Sequence, residues 1–233
     1  MPEEVMLKKN FKDCFIINSP KESVGGNGYW YQKIGDFSYI IVFDCEGSGH
    51  LASIMVRIYS QTINKLIINH NITFPTSILQ LANKEILSKF ENKKEIVVNN
   101  SADLGIIKFN HIKNSLEFAG ANINLLVEAN GEINLFEGDK MKIASENKKG
   151  MDFGSITLQT DSGSRLYFST KGLFEQIGGS DFKKIGVQRI MKLITDNKQH
   201  TIGNQKKILE HFVDNWMKLH PQSDDMLIIG IEI

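Results

Sequence analysis

The hydrophobic period of the chain changes along its length, and this change restricts the folds that it can adopt. Helical spacing of apolar residues predicts four helices, over residues 50–69, 77–90, 187–196 and 204–219. Short apolar runs bounded by turn residues predict strands over residues 28–34, 37–45, 104–109, 116–119, 125–128, 133–136, 156–160, 165–169 and 226–233. Asn130-Gly131 is the clearest hairpin signal, and residues 138–152 predict a loop.

These patterns predict an α+β protein. Short strands joined by turns favour antiparallel pairing, and the helices are gathered into an early and a late pair. The arrangement fits two stacked, mainly antiparallel β-sheets flanked by helix layers. No linker or repeat divides the sequence, so we expect a single domain over residues 1–233, with residues 1–14 as a loose N-terminal tail.

The composition narrows the functional classes. Lys+Arg and Asp+Glu both number 27 among 233 residues, so the net charge gives no reason to expect a nucleic acid partner. No run reaches the ~18 apolar residues that a membrane-spanning helix needs, and the N-terminal residues lack a secretory pattern. Two cysteines, Cys14 and Cys45, suit a reducing compartment. We therefore expect a cytoplasmic protein without membrane insertion.

Acidic or glycine-rich turns lie at three predicted strand ends, at residues 24–28, 44–49 and 224–225. Carboxylates that meet at strand ends can bind hard divalent cations, since Mg²⁺ and Mn²⁺ prefer oxygen ligands. The alternative is that Asp44 caps the following helix and that the glycines only permit tight turns. The local pattern leaves both interpretations open.

Seven stretches, in this order, resemble the metal-dependent (PPM-type) serine/threonine phosphatases, in the branch of the stage II sporulation phosphatase and the RsbU-type regulators. The resemblance extends from about Pro20 to Ile233. The stretches are PKESVGGNGYWY (20–31), VFDCEGSG (42–49), LEFAGAN (116–122), GDKM (138–141), SRLYFSTKGLFEQ (164–176), IGG (177–179) and SDDMLIIGI (223–231).

This resemblance implies a β-sandwich with a centre of two Mn²⁺ or Mg²⁺ ions, where metal-bound water attacks phosphoserine or phosphothreonine. Carried over to this chain, it implies that Asp44 is the central bridging ligand and that Cys45 offers its backbone carbonyl. It also implies that Asp224 is the C-terminal ligand, with Asp225 beside it.

Two ligand positions depart from the family pattern. Asn27 stands where the family has the aspartate of Gly-Gly-Asp, and Lys171 stands where it has the aspartate of Asp-Gly. Ser48 stands where the family usually has a histidine, at a position that varies within the family. An amide supplies an oxygen without charge, whereas an ammonium repels a divalent ion or pairs with Asp44 or Asp224 in its place. Alternatively, Lys171 extends into solvent and leaves a weaker site for one ion, and Asn27 is a turn residue.

Three functional hypotheses follow. The favoured one is a catalytically impaired pseudophosphatase that binds a regulatory protein partner as a signalling module. The second is an active Mn²⁺- or Mg²⁺-dependent phosphatase that dephosphorylates a serine of an anti-sigma antagonist-like protein. The third is an unrelated α+β domain whose turns match by chance. Whether the protein is an enzyme, and whether it is a monomer or a homodimer, stays open at this point.

Overall fold

Two antiparallel five-stranded sheets and six α-helices build the described part of the protein. The computed structural model describes residues 2–47, 49–91, 100–145, 152–218 and 220–233. The strands are β1 (Asp13–Ser19), β2 (Asn27–Ile34), β3 (Phe37–Cys45), β4 (Ala102–Asn110), β5 (Ser115–Ala121), β6 (Asn124–Ala129), β7 (Glu132–Phe136), β8 (Ile156–Gln159), β9 (Arg165–Ser169), β10 (Ile177–Gly178), β11 (Lys183–Lys184) and β12 (Met226–Glu232). The helices are α1 (Pro2–Lys8), α2 (Gly49–Asn64), α3 (Pro75–Phe90), α4 (Gly172–Glu175), α5 (Val187–Asp196) and α6 (Ile202–Met217).

One sheet belongs to a compact unit that we call the β12 unit. It consists of Met1–Glu22, Leu125–Phe136 and Thr160–Ile233. The strand order is β1-β12-β9-β6-β7, and β10 pairs with β11 in a separate small hairpin. One face of the sheet packs against α5 and α6 through buried residues such as Tyr167, Ile228 and Leu209. Burial of these side chains away from water stabilises the unit.

The other sheet belongs to a second unit, the β3 unit, which consists of Ser23–Asn124 and Glu137–Gln159. Its strand order is β2-β3-β4-β5-β8. Helices α2 and α3 cover one face, where Phe43, Leu104 and Tyr59 are fully buried. Because successive side chains of a strand point to opposite faces, Asp44 and Asp103 lie on the face away from these helices.

The predicted fold class is confirmed: the protein is α+β, with two mainly antiparallel sheets and flanking helices. Strand β9 and helix α5 coincide residue for residue with the predicted ranges 165–169 and 187–196. The helix predicted over 50–69 divides into α2 and a π-helical turn, Lys65–Asn69. No helix among the described residues is both long and apolar enough to span a membrane.

Two regions differ from the sequence prediction. Instead of a loose tail, residues 1–14 contain α1 and the start of β1, with Leu7 and Cys14 buried, because β1 pairs along its length with β12. The strands β10 and β11 were not predicted, since two-residue strands leave no hydrophobic period. Ser48 and part of the predicted loop, residues 146–151, lie outside the described residues. The single domain over 1–233 stays a prediction.

Candidate functional site

A row of polar residues crosses three strands of the β3 unit and continues just beyond a fourth. Asn27 on β2 is paired in register with Asp44 on β3, and Asp44 is paired in turn with Asp103 on β4. Directly paired residues of antiparallel strands project their side chains to the same face. Asn122, just beyond β5, donates a hydrogen bond from Nδ2 to Asp103 Oδ1 over 2.8 Å. The row therefore joins two predicted site residues, Asn27 and Asp44, to two polar residues that were not predicted.

The turn before β2, the strand that begins at Asn27, packs closely on the end of β3. Cys45 N donates a hydrogen bond to Gly26 O over 2.9 Å, and the Cys45 carbonyl lies so near Gly26 that no Cβ atom would fit there. Burial raises the pKa of the Cys45 thiol well above its ordinary value, and the nearby Asp44 carboxylate raises it further. The thiol is thus an inert, packed side chain, since reactivity requires the thiolate.

Asp44 is not a helix cap. It lies within β3, which ends at Cys45, whereas α2 begins only at Gly49. A capping residue directly precedes the first helical residue, so this alternative is wrong for Asp44. Gly47 and Gly49 have φ values of 114° and 56°, which are in the region that favours glycine. Gly47 and Gly49 thus adopt the backbone conformation that this alternative expects of them.

Lys142 places a cation next to the polar row. Its ammonium forms an ion pair with Glu46 and lies 3.6 Å from Asp103 Oδ1. The side chain of Asp103 is only 2% exposed, so its charge needs such partners. The sequence carries one signal for Asp103, a charged residue directly before the apolar run 104–107. Nothing in the sequence indicates that Lys142 lies close to it.

In the β12 unit, Lys171 lies beside the acidic pair Asp224–Asp225. The Lys171 carbonyl accepts hydrogen bonds from Phe174 N and Glu175 N, which start α4. The next residue, Gly172, lies directly against the Asp225 carbonyl, and a Cβ atom on Gly172 would be 3.4 Å from the Asp224 Cβ atom. The structure thus brings together three predicted site residues, Lys171, Asp224 and Asp225.

The acidic pair takes part in local hydrogen bonds. Asp225 Oδ1 accepts a hydrogen bond from Lys21 N over 2.7 Å, and Asp224 Oδ1 accepts one from Asp225 N over 2.8 Å. Gln222 Nε2 donates to the Asp224 carbonyl over 2.7 Å. Asp224 is exposed and Asp225 is half-buried. One carboxylate oxygen of each aspartate therefore already has a backbone partner.

A buried amide, Gln176, fixes the loop that carries this pair. Its Nε2 donates to the carbonyls of Pro221 (3.1 Å) and Ile177 (2.8 Å), and its Oε1 accepts from Ser223 N (2.8 Å) and Ser223 Oγ (3.1 Å). A glutamine amide offers two donors and two acceptor positions, so all four are used. Gln176 lies in one of the stretches that carry the family resemblance, but only the contacts identify its role.

We tested whether these residues fit the two divalent cations that the family resemblance implies. In neither unit do the described residues bring three His, Cys, Asp or Glu side chains together in a way that could hold an ion. At one expected ligand position Lys171 supplies an ammonium, and at another Asn27 supplies a neutral amide. An ammonium about 4 Å from a divalent ion is repelled by about 8 kcal/mol at an effective dielectric constant of about 20. The residues present do not fit a centre of two cations.

Comparison with known proteins identifies the family. The family model described as "Stage II sporulation protein E (SpoIIE)" matches residues 36–233, and a search of curated protein sequences gives no significant match. The matched range begins after β2, the strand that carries Asn27. It covers six of the seven stretches that carry the family resemblance.

Three solved structures share the fold. The SiaA-PP2C domain of Pseudomonas aeruginosa has a TM-score of 0.86 and 24% identity, with 100% of this chain and 90% of that chain covered. The PP2C phosphatase domain of SpoIIE from Bacillus subtilis, with a fragment of its regulatory domain, has a TM-score of 0.74 and 16% identity, with 94% and 62% covered. The catalytic domain of the phosphatase PstP, in complex with two manganese ions, has a TM-score of 0.67 and 10% identity, with 94% and 96% covered. Together with the family model, these likenesses show that the chain belongs to the stage II sporulation protein E family of PPM-type phosphatase domains.

Proposed function

We propose that this phosphatase-like domain is impaired in two-cation phosphate hydrolysis and acts by binding a regulatory protein partner. The observation that carries the proposal is the close contact of Gly172 with the Asp225 carbonyl and the Asp224 side chain, which brings the adjoining residue Lys171 next to the acidic pair. An ammonium at this position offsets the charge of the acidic pair, which a cation would otherwise do. The site can thus be stable without a bound ion.

Asn27 supports the same conclusion from the other unit. It is 8% exposed and is paired in register with Asp44, so its side chain is not simply displaced into solvent. Compared with an aspartate at this position, the amide makes the row less negative by one charge. Because Lys142 lies near Asp103, the row already contains a positive charge. The neutral amide of Asn27 and the nearby ammonium of Lys142 both weaken the attraction of this row for a divalent cation.

The alternative is an active Mn²⁺- or Mg²⁺-dependent phosphatase that acts on a phosphoserine of an anti-sigma antagonist-like protein. Asp44, the Cys45 carbonyl, Asp224 and Asp225 favour it, since these predicted ligands are retained. Lys171 is half-buried and has a long, flexible side chain, so its ammonium could move away from a single ion. The PstP catalytic domain was solved with two manganese ions, which is the state that this alternative would approach.

Calorimetric titration with Mn²⁺ and a phosphoserine-peptide assay separate the two functions. We expect the wild type to bind Mn²⁺ at best weakly and to release no phosphate above background. The Asn27→Asp/Lys171→Asp double variant should bind Mn²⁺ more tightly and gain activity. Lys183→Asp, which makes the same charge change as Lys171→Asp but on the exposed β11, is the control and should behave as the wild type.

Tight binding of two Mn²⁺ ions with phosphate release by the wild type would contradict the proposal and support the active enzyme. A double variant that stays without cation binding would show that Lys171 and Asn27 are not the cause of impairment. The prediction of a cytoplasmic protein rests on composition alone and is kept as part of this proposal.

A further inference from the structure

A groove of about 490 Å³ lies in the β12 unit between α6 and β1. Its floor is apolar and includes Leu209, Val213, Met226 and Ile228. The volume is within the range of about 300–1,000 Å³ that binding sites in proteins occupy. Lys171 and Asp224 do not line the groove, although Met226 directly follows Asp225 in the chain.

One wall of the groove is the edge of a sheet. β1 is the outermost strand of its sheet and pairs with β12 on its inner side. Helix α1 contacts the beginning of β1, where Cys14 Sγ lies 3.7 Å from the Glu4 carbonyl. The second half of the strand, residues 16–19, lines the groove instead. An edge strand presents backbone N–H and C=O groups that can pair with an added strand.

The other wall is helix α6, and its rim is mainly acidic. Glu210 and Asp214 both line the groove, lie one turn apart and are exposed. No described residue forms an ion pair with either of them, whereas the other ion pairs of this unit, such as Lys184–Glu175, use different acids. With Lys206 one turn earlier, the rim carries one positive and two negative charges, or a net charge of −1. This rim is complementary to a basic group.

We propose that this groove binds an extended segment of a partner protein that adds a strand beside residues 16–19, places apolar side chains in the groove and directs an Arg or Lys toward Glu210 and Asp214. The inference deepens the proposed function, because it rests on the existence of a protein partner and describes that partner's chemistry. Alternate residues of an added strand face the same side, so the apolar and the basic residues that enter the groove should together occupy every second position of the segment.

A second copy of this chain fits the groove less well. Pairing β1 with its counterpart would place residues 16–19, Ile-Ile-Asn-Ser, against the groove of the other copy. These residues carry no basic side chain, so Glu210 and Asp214 would meet no opposite charge. A partner with a basic segment can pair with the edge strand β1 and also place a positive charge beside the acidic rim.

The probe is a fluorescein-labelled nine-residue peptide, Val-Thr-Arg-Thr-Val-Thr-Arg-Thr-Val, which carries valine and arginine on one face of a strand. It is titrated into the full chain and followed by fluorescence anisotropy. We expect saturable binding that weakens as salt is added, because rim charges are screened. The Glu210→Lys/Asp214→Lys variant should bind about tenfold more weakly, since two exposed ion pairs become repulsive contacts. Glu132→Lys/Asp196→Lys, which makes the same charge change at two exposed residues outside the groove, is the matched control and should leave the affinity unchanged.

Two further measurements locate the bound peptide. The same peptide with glutamate in place of arginine should not bind, and hydrogen exchange should show protection of residues 16–19 when the arginine peptide is present. The proposal is overturned if the wild type does not bind that peptide, if the α6 variant binds it equally well, or if the protection falls elsewhere. Sedimentation that reveals self-association, lost in the α6 variant, would assign the groove to a second copy and overturn it as well.

Peptide binding and phosphatase activity are independent measurements. The Asn27→Asp/Lys171→Asp variant should bind the peptide with wild-type affinity, because neither residue lines the groove. An active wild type that binds the peptide would refute the impaired chemistry but not the groove. An inactive wild type that fails to bind it would refute the groove but not the impaired chemistry.

Discussion

Gly172 lies directly against the backbone carbonyl of Asp225, with no space for a side-chain carbon between them. This contact fixes the start of α4, and therefore Lys171, next to the acidic pair. The Gly172→Ala substitution should force the two segments apart and lower the free energy of unfolding by about 1–3 kcal/mol. Chemical denaturation measures this change.

The control for this prediction is another Gly→Ala substitution with space around it. A Cβ atom on Gly203 in α6 would have its nearest neighbour, Asp13 Oδ2, at 4.0 Å. Gly203→Ala should therefore be neutral or stabilise the protein by up to about 1 kcal/mol, because alanine favours helix. Equal losses in the two variants would contradict the close contact at Gly172.

Gln176→Leu should release the loop that carries Asp224. The substitution keeps the size of the side chain similar but replaces the polar amide with an apolar group, which removes the four hydrogen bonds to Ile177, Pro221 and Ser223. We expect a loss of about 2–4 kcal/mol in the free energy of unfolding, since buried backbone groups are left without partners. Hydrogen exchange at Ser223 N should accelerate, whereas Gln61→Leu on the exposed face of α2 should change neither quantity.

Arg165 and Glu232 form a buried ion pair between adjacent strands of the β12 unit. Arg165 Nε and NH2 each lie 3.2 Å from Glu232 Oε2, and the side chains are 11% and 9% exposed. Arg165→Met should cost about 3–5 kcal/mol because it leaves a buried carboxylate with less compensation. Arg165→Met/Glu232→Met should recover a large part of this loss. If the double variant loses as much free energy of unfolding as Arg165→Met and Glu232→Met together, the two residues are not coupled.

His111 should make the stability of the β3 unit depend on pH. Burial lowers its pKa below the ordinary value of 6.5, nearby Lys33 lowers it further, and Asp36 opposes the shift. The ring shares a hydrogen bond of 2.8 Å with Ser38 Oγ. Because the unfolded chain binds the proton more readily, the stabilising effect is present above pH 6.5 and is lost as the pH falls through the lower, folded-state pKa.

Urea denaturation at several pH values between 7.5 and 5 measures this dependence. The free energy of unfolding of the wild type should fall more steeply with decreasing pH than that of His111→Gln. His70→Gln, at an exposed histidine, should keep the slope of the wild type. Parallel curves for wild type and His111→Gln would rule out the contribution of His111.

The sequence predicted those parts of the fold whose signal is local. Helix α5 and strand β9 were placed to the residue because each has a complete hydrophobic period and a turn at both ends. The prediction of a loose tail over residues 1–14 was wrong, because β1 is held in place by its pairing with the distant strand β12. The pairing of Asp13–Ser19 with β12 has no counterpart in the neighbouring sequence.

The candidate site was predictable to the same extent. Asn27, Asp44, Lys171 and the pair Asp224–Asp225 stand in stretches with a family pattern, and the structure places them at strand ends or the adjoining loops. Asp103 and Lys142 belong to no such stretch. They enter the site through the register of β3 with β4 and through an ion pair, and register depends on contacts between segments far apart in sequence.

The pairing of β1 with β12 also sets the order in which the protein can fold during synthesis. Ser19 and Gln222, which are hydrogen-bonded to each other, are 203 positions apart. Strand β1 therefore cannot pair until the ribosome has translated β12, and the apolar residues of β1 stay exposed until then. The β3 unit, which is complete by residue 159, has no such delay. Nascent chains of this protein should depend on chaperones mainly to protect β1.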